Sequence, residues 1–277
     1  MLIVSFRRPD VLRRCLDSVG THLPEATVSV WDNASDSSHS IREVADDFPQ
    51  HIWTFSDENV GFAKAINALS AAAGPGDLLW LNPDAVLAGD LSGCRQALIA
   101  SLDRHLQLAA AAPLVDDPGG GQPWDNARRA PSVIRAIVSY SGYGRRLRRW
   151  PVSDLYPAAP QRAVGYLSGS CLLIRRDAWE DVGPLDEDFF LYAEEADWAD
   201  RARRRGWFLV QIPEPGVVHS AAGTVGDDRL LSRRSERLLQ ESNVRYLRKN
   251  NGPLSAGAYR VASALLDRVQ RSKRSLL

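Results

Sequence analysis

The stretch FFLYAEEADWADR, residues 189–201, sets Glu194, Glu195 and Asp197 directly behind an aromatic run. If a helix starts near residue 194, Glu195 shares a face with Trp198, Ala199 and Ala202, at i+3, i+4 and i+7. Glu194, Asp197, Arg201 and Arg204 fall on another stripe, acids first and arginines a turn later, the arrangement of ordinary surface ion pairs. The spacing therefore turns Glu195 inward and leaves the other acids to solvent. An inward carboxylate needs a partner, such as a core arginine, or a function, and burial moves its pKa up toward the range of a general base. Asp84 is the second carboxylate in a telling place, at the end of the apolar run LLWLNPD. There it is either a turn former behind Pro83 or a ligand for a divalent ion that also touches a diphosphate. His219, alone in a stretch read as a loop, is less specific.

The elements that must position these groups alternate. Apolar runs at 2–6, 27–32, 51–56 and 77–87 are separated by helical patterns, which predicts βα units and a mainly parallel sheet. The helix after the first strand has Pro9 near its start and Val11, Leu12, Cys15, Leu16 and Val19 at helical spacing. Ser5, Asp32 and Asp84 stand at strand ends, where an open α/β sheet binds its ligands, and a nucleotide is the leading ligand class on that ground. Further on, 108–115 reads as a buried strand, 131–160 as an irregular basic and aromatic excursion, and AVGYLSGSCLLI as a strand with Gly169 and Ser170 inside it. The C-terminal part has helical periodicity broken by NNGP. The expected organisation is a catalytic domain over 1–225 and a helical basic extension over 226–277.

A net charge of zero conceals a polarised chain: residues 228–277 carry 12 Arg or Lys against 4 Asp or Glu, and 126–153 carry seven Arg and no acid. Both segments read either as solvated basic helices or as contacts with an anionic surface. The acids clustered at 186–200 and the zero total disfavour a continuous phosphate track, so no nucleic-acid partner is expected. No run approaches the roughly 20 apolar residues of a membrane span. The three cysteines, far apart, exclude a zinc knuckle and a disulfide framework, and a cytoplasmic location is expected.

Taken in order, VSFRRPDVLRRCLDSV, VWDNASDSS, ENVGFAKAINAL, LLWLNPDAVL, GSCLLIRRDAWEDVGPLDEDFFLYAEEADWADRARRRGW and VVHSAAGT resemble the bacterial family 2 glycosyltransferases, especially the rhamnosyltransferase-like branch. The resemblance implies a GT-A fold, a Rossmann-like central sheet flanked by helices. It also implies inverting transfer of a sugar, rhamnose first, from a nucleoside diphosphate sugar, with Mg2+ or Mn2+ as cofactor. The implied acceptor is a cell-surface glycan or a polyprenyl-diphosphate-linked glycan, with peripheral contact at the inner face of the membrane through the basic segments. By the same resemblance Ser5, Phe6 and Arg7 lie at the base and ribose, and Asp32 bonds the pyrimidine edge. Asn59 and Gly61 shape the loop beside the nucleotide, and Lys64 and Asn67 contact the donor. Asn82 and Asp84 occupy the acidic metal motif, His219 completes the metal site, and Glu195 is the base, with Glu194 and Asp197 as the competing positions. A sugar nucleotidyltransferase is the weaker alternative, since VSFRRPD is not a glycine-rich phosphate loop. A non-catalytic sugar-nucleotide or glycan-binding module of the same fold is the other.

Overall fold

The computed structural model of the chain describes residues 1–35, 38–116, 126–144, 146–156, 162–219 and 229–274. Its first half follows the βα alternation. β1 (Leu2–Ser5), buried throughout, runs into α1 (Pro9–His22), which buries the apolar face expected of it. β2 (Ser29–Asp32), α2 (Ser38–Asp47), β3 (Ile52–Phe55), α3 (Phe62–Ala72) and β4 (Leu78–Leu81) follow. Each crossover returns the chain in the same direction, so β3, β2, β1 and β4 are parallel neighbours.

The apolar run at 77–87 is two strands instead of one. Asn82, Pro83 and Asp84 turn the chain out of β4, the Ala85 amide closing on the Asn82 carbonyl at 3.0 Å, and β5 (Ala85–Leu87) joins the far edge of the sheet. α4 (Ser92–Asp103), β6 (Leu108–Asp116) and β7 (Ala127–Arg128) come next. The excursion at 131–160 contains a helix, α5 (Val133–Tyr140), started by the Ser132 hydroxyl accepting from the Arg135 amide. The strand expected around Gly169 is three pieces, β8 (Arg162–Val164), β9 (Tyr166–Leu167) and β10 (Cys171–Ile174), because Gly165, Gly169 and Ser170 break the ladder. α6 (Arg176–Val182), α7 (Glu194–Arg204) and β11 (Phe208–His219) complete the sheet, in the order β3-β2-β1-β4-β10-β6-β11-β5 with β8 also on β11. β10, β5 and β8 run against the rest.

Alternation along β4 sends Leu78 and Trp80 to one face and Leu79 and Leu81 to the other, and each face has its own core. On the first face Trp80 meets Trp179 edge-on at 5.6 Å, and Trp179 stacks on Trp198 at 5.9 Å, tying the sheet to α6 and α7. Each such ring pair adds about 0.5–1.5 kcal/mol beyond its buried area.

The C-terminal part is a helical hairpin, α8 (Arg229–Asn251) and α9 (Pro253–Arg274), turned at Gly252 with φ 90°. Tyr246, Leu247, Ala256 and Tyr259 form a third core with Ala136 of α5, Phe189 and Ala196. The hairpin thus covers α7 directly. The expected boundary at 225/226 lies outside the described residues.

Where α3 begins, Gly61 has φ 84°, and a Cβ there would lie 2.4 Å from the Phe190 carbonyl oxygen. Gly61→Ala is therefore expected to lower the unfolding free energy by about 2 kcal/mol or more, read as a shifted denaturant midpoint.

Candidate active site

The C-terminal ends of the parallel strands β1, β2, β4 and β11 lie on one edge of the sheet and carry Ser5, Asp32, Asp84 and His219. The antiparallel β10 brings its N-terminal end, with Gly169 and Ser170 just before it, to the same edge. Five segments distant in sequence therefore meet at one place.

On the β1–β2 side, Asp32 is buried and accepts a bond from the Ser35 hydroxyl, and the Arg7 amide donates to Ser35 Oγ at 2.7 Å. Burial pushes the Asp32 carboxyl above the usual range against the hydrogen bonds from Ser35. Arg7 and Arg8 both adopt left-handed backbone, φ 57° and 60°, with Arg7 lying over the Phe6 ring. Two such residues in succession cost of order 1–3 kcal/mol each and persist where the surroundings dictate them. Ser5 itself is fully buried, and its hydroxyl has no hydrogen-bond partner among the described residues. It supports the edge through its carbonyl, which accepts from the Asn33 amide at 2.8 Å.

Asn33, just beyond β2, organises the neighbouring loop. Its Nδ2 donates to Asn59 Oδ1 at 2.9 Å and its Oδ1 accepts from the Val60 amide at 2.8 Å. Asn59 in turn accepts from the Gly61 amide. The signal was available: a polar residue directly after a strand-ending aspartate. Two other expectations separate here. Lys64 is exposed on α3, whereas the Asn67 amide is spent on the Leu185 backbone at 2.9 Å in both directions and on Glu187. Asn67 thus clamps the segment before α7 to α3.

Asp84 and His219, 135 residues apart, are brought together, His219 Nε2 lying 2.9 Å from Asp84 Oδ1. The pairing is set by the sheet: β5 and β11 are in register with His219 opposite Ala85, next to Asp84. Asn82 lies in the same turn, its amide donating to the Ser170 carbonyl at 3.0 Å. Among the described residues no group of three His, Cys, Asp or Glu side chains converges. One carboxylate and one imidazole do not make an all-protein cage. They fit a hard divalent ion that keeps most of its positions for phosphate oxygens and water. The remainder of VVHSAAGT lies outside the described residues.

The opening stretch departs from its expected exposure. Glu194 is 2% exposed and Asp197 0%, while Glu195 is half-buried and lines a cavity of about 350 Å3. The reason is the C-terminal hairpin, which lies over the stripe that sequence spacing left to solvent. Asp197 accepts from Arg201 Nε at 3.1 Å, from Lys249 Nζ at 2.9 Å and from Asn250 Nδ2 at 3.3 Å. Its oxygens are occupied, and it tethers α7 to the end of α8. Glu194 Oε2 has no hydrogen-bond partner among the described residues. Burial, and then the charge of Glu195, hold its carboxyl well above the ordinary range. Glu195 Oε1 accepts from the Gly169 amide at 3.1 Å, and burial outweighs this bond and nearby Arg128 to raise its pKa as well. Arg128, Arg135, Tyr140, Tyr166, Tyr192 and Asn243 line the cavity around it. Tyr192 links the two centres: burial first, and then Glu194, Glu195 and Asp84, raise its phenol against a bond with Ser235. A larger cavity of about 700 Å3, lined by Leu23, Thr27, Ala73 and Leu173, is at the other end of the strands, away from these groups.

The loop that delivers Glu195 is strained. Tyr192 and Ala193 are both left-handed, φ 71° and 67°, and α7 begins at Glu194 without a side-chain cap. The Phe62 amide holds the loop from the α3 side through the Phe190 carbonyl at 2.8 Å.

Residues 1–183 match the family model described as Glycosyl transferase family 2. The chain is 34% identical over 182 residues to the N-acetylglucosaminyl-diphospho-decaprenol L-rhamnosyltransferase of Mycobacterium tuberculosis, covering 61% of this chain and 59% of the relative. It is 29% identical over 128 residues to the low-salt glycan biosynthesis hexosyltransferase Agl10 of Haloferax volcanii, covering 44% and 38%. The chain thus spans less than two thirds of the length of the curated relatives it matches. Its fold is similar to that of GalNAc-T7, solved with UDP, GalNAc and Mn2+, at TM-score 0.60, 17% identity and coverage of 89% of this chain and 46% of that one. It is also similar to the mannosyltransferase PcManGT of Pyrobaculum calidifontis, solved with GDP-Man and Mn2+, at TM-score 0.57, 14% identity and coverage of 99% and 79%.

The buried acids make a pH prediction. With the Glu194 carboxyl raised, the folded chain keeps a proton that the unfolded chain releases, so stability falls as pH rises from the ordinary carboxylate range to the raised value. Glu194→Gln removes that loss. Its melting temperature is expected to exceed that of the parent at about pH 8, with the gap closing toward about pH 4, in thermal scans across pH.

Proposed function

The chain belongs to glycosyl transferase family 2, and on that premise we propose that it transfers a hexose, L-rhamnose first, from a nucleoside diphosphate sugar to a polyprenyl-diphosphate-linked glycan, with inversion. The observation that carries this reading is the placement of Glu195 in an open cavity on the same sheet edge as the Asp84–His219 pair. The name of the mycobacterial relative supports the sugar and the lipid-linked acceptor.

Glu195 is the base. Its raised pKa and its fixed Oε1, held by the Gly169 amide, suit it to take the proton of an acceptor hydroxyl. That oxygen forms its bond to the anomeric carbon as the bond to the diphosphate breaks on the opposite face, which inverts the centre. The nucleotide lies against Phe6, Arg7, Asp32 and the Asn59–Gly61 loop, with Lys64 toward the donor. Asp84 and His219 would hold Mg2+ or Mn2+ in the turn shared with Asn82. Bound there, the ion supplies positive charge against the diphosphate that departs. Burial of the base keeps its pKa high.

The acceptor's lipid defines a surface. α9 presents Leu254, Val261 and Leu265, 88%, 64% and 54% exposed, at i, i+7 and i+11 on the side away from its buried Ala256, Tyr259 and Ser263. The only acid of α9, Asp267, bonds the Tyr140 hydroxyl. An apolar stripe with basic flanks fits an anionic bilayer surface. No helix among the described residues is long and apolar enough to cross a membrane. The reading is of peripheral contact at the inner face of the cell membrane.

Incubating the protein with a panel of nucleotide sugars, Mg2+ or Mn2+ and a lipid-linked acceptor is expected to give nucleoside diphosphate release that EDTA abolishes. Glu195→Gln should retain donor binding and lose about 100-fold or more in turnover, whereas Asp84→Ala should lose about tenfold or more in metal-dependent donor affinity. Near-normal turnover by Glu195→Gln would overturn the base assignment, and donor bound but never consumed would mark a non-catalytic module. In vesicle flotation, binding to anionic but not neutral vesicles is expected to fall about tenfold or more when Leu254, Val261 and Leu265 are all replaced by Ser.

A further inference from the structure

We propose that Lys249, at the end of α8 beside the turn of the C-terminal hairpin, is a positioning residue for Glu195: it bridges Asp186 and Asp197 and so fixes both ends of the loop that delivers the base. The inference rests on the reading of Glu195 as that base. Lys249 Nζ lies 2.6 Å from Asp186 Oδ2, where the loop begins, and 2.9 Å from the Asp197 carboxylate in the first turn of α7. Its ammonium also stands over the Phe189 ring, 5.9 Å from the centroid.

α8 grips the loop between these ends. The Ser242 hydroxyl donates to the Leu191 carbonyl at 2.7 Å, Ser235 bonds Tyr192, and Arg245 lies 3.1 Å from Asp188. Tyr192 and Ala193 stay left-handed inside this grip, immediately before Glu194 and Glu195. Arg201 shares Asp197 but reaches back to the Val182 and Pro184 carbonyls, so it fixes the segment before the loop and not its start. Among the described contacts, Lys249 alone spans Asp186 and Asp197. Removing its charge leaves Asp186 without that partner and Asp197, fully buried, with Arg201 and Asn250 only. The nucleotide side, built by β1, β2 and the Asn59–Gly61 loop, makes no contact with Lys249 that the structure records.

The test is Lys249→Met, with Lys249→Arg as the conservative variant and Arg205→Ala, which breaks an exposed pair with Asp181, as a comparator. Amide hydrogen exchange over 186–193 is expected to quicken about tenfold in Lys249→Met while β1 and β2 amides keep their rates. In the transfer assay kcat should fall about tenfold with donor KM within about twofold, since the loss is of base placement and not of donor binding. Lys249→Arg should recover most of both, and Arg205→Ala should match the parent. Unchanged exchange over 186–193, or exchange quickened equally throughout the fold, overturns the proposal. If the parent transfers no sugar, the proposed function fails, and exchange still decides whether Lys249 holds the loop.

Discussion

The hydrogen bond from the Phe62 amide to the Phe190 carbonyl, 2.8 Å long, joins two halves of the site that the chain makes more than a hundred residues apart. On one side stand Asn33, Asn59 and Gly61, bonded in series to the end of β2. On the other stands the loop that ends in the left-handed pair Tyr192 and Ala193 and releases Glu195 into the cavity. The bond forms because residue 61 has no Cβ to strike the same carbonyl. The loop that leads into α3 thus sets the height of the Glu195 carboxylate, through backbone atoms whose positions do not depend on rotamers.

Around that junction the acids are sorted by what reaches them. Asp197 is surrounded by an arginine, a lysine and an asparagine, which makes a buried charge tolerable. Glu194, three residues earlier and next to Glu195, has an oxygen with no partner among the described residues, and its proton affinity rises accordingly. Glu195 combines a backbone bond from Gly169 with an open side on the cavity. Three carboxylates within four residues end in three electrostatic environments, and the differences come from elements far away in sequence.

This is also why the sequence disclosed some parts and not others. The βα alternation and the strand ends at Asp32 and Asp84 depend on local periodicity, and the sheet follows them. The hairpin over α7 depends on Tyr246, Leu247 and Tyr259 finding Phe189 and Ala196, a long-range fit with no local pattern. Without it, Glu194 and Asp197 read as a solvated stripe. The clamp made by Asn67 went unseen for a related reason: its partners are backbone groups of Leu185, 118 residues on, which leave no mark in composition or spacing. The split of the run at 77–87 was signalled by Pro83, yet its destination, pairing with β11, was not.

That destination has a consequence for how the fold can vary. Because Asp84 precedes β5 and His219 ends β11, their separation is measured in ladder rungs: His219 faces Ala85, Val218 faces Val86, Val217 faces Leu87. A slip of one rung would turn the imidazole to the opposite face of the sheet. β11 absorbs its irregularities earlier, at the register shifts around Pro215, where Gly216 passes close to Pro113. The last rungs therefore act as a ruler with its zero at Asp84. A residue inserted between Gly216 and His219 displaces the imidazole from the aspartate, whereas one added in a surface turn such as that between β3 and α3's preceding loop leaves the measure intact.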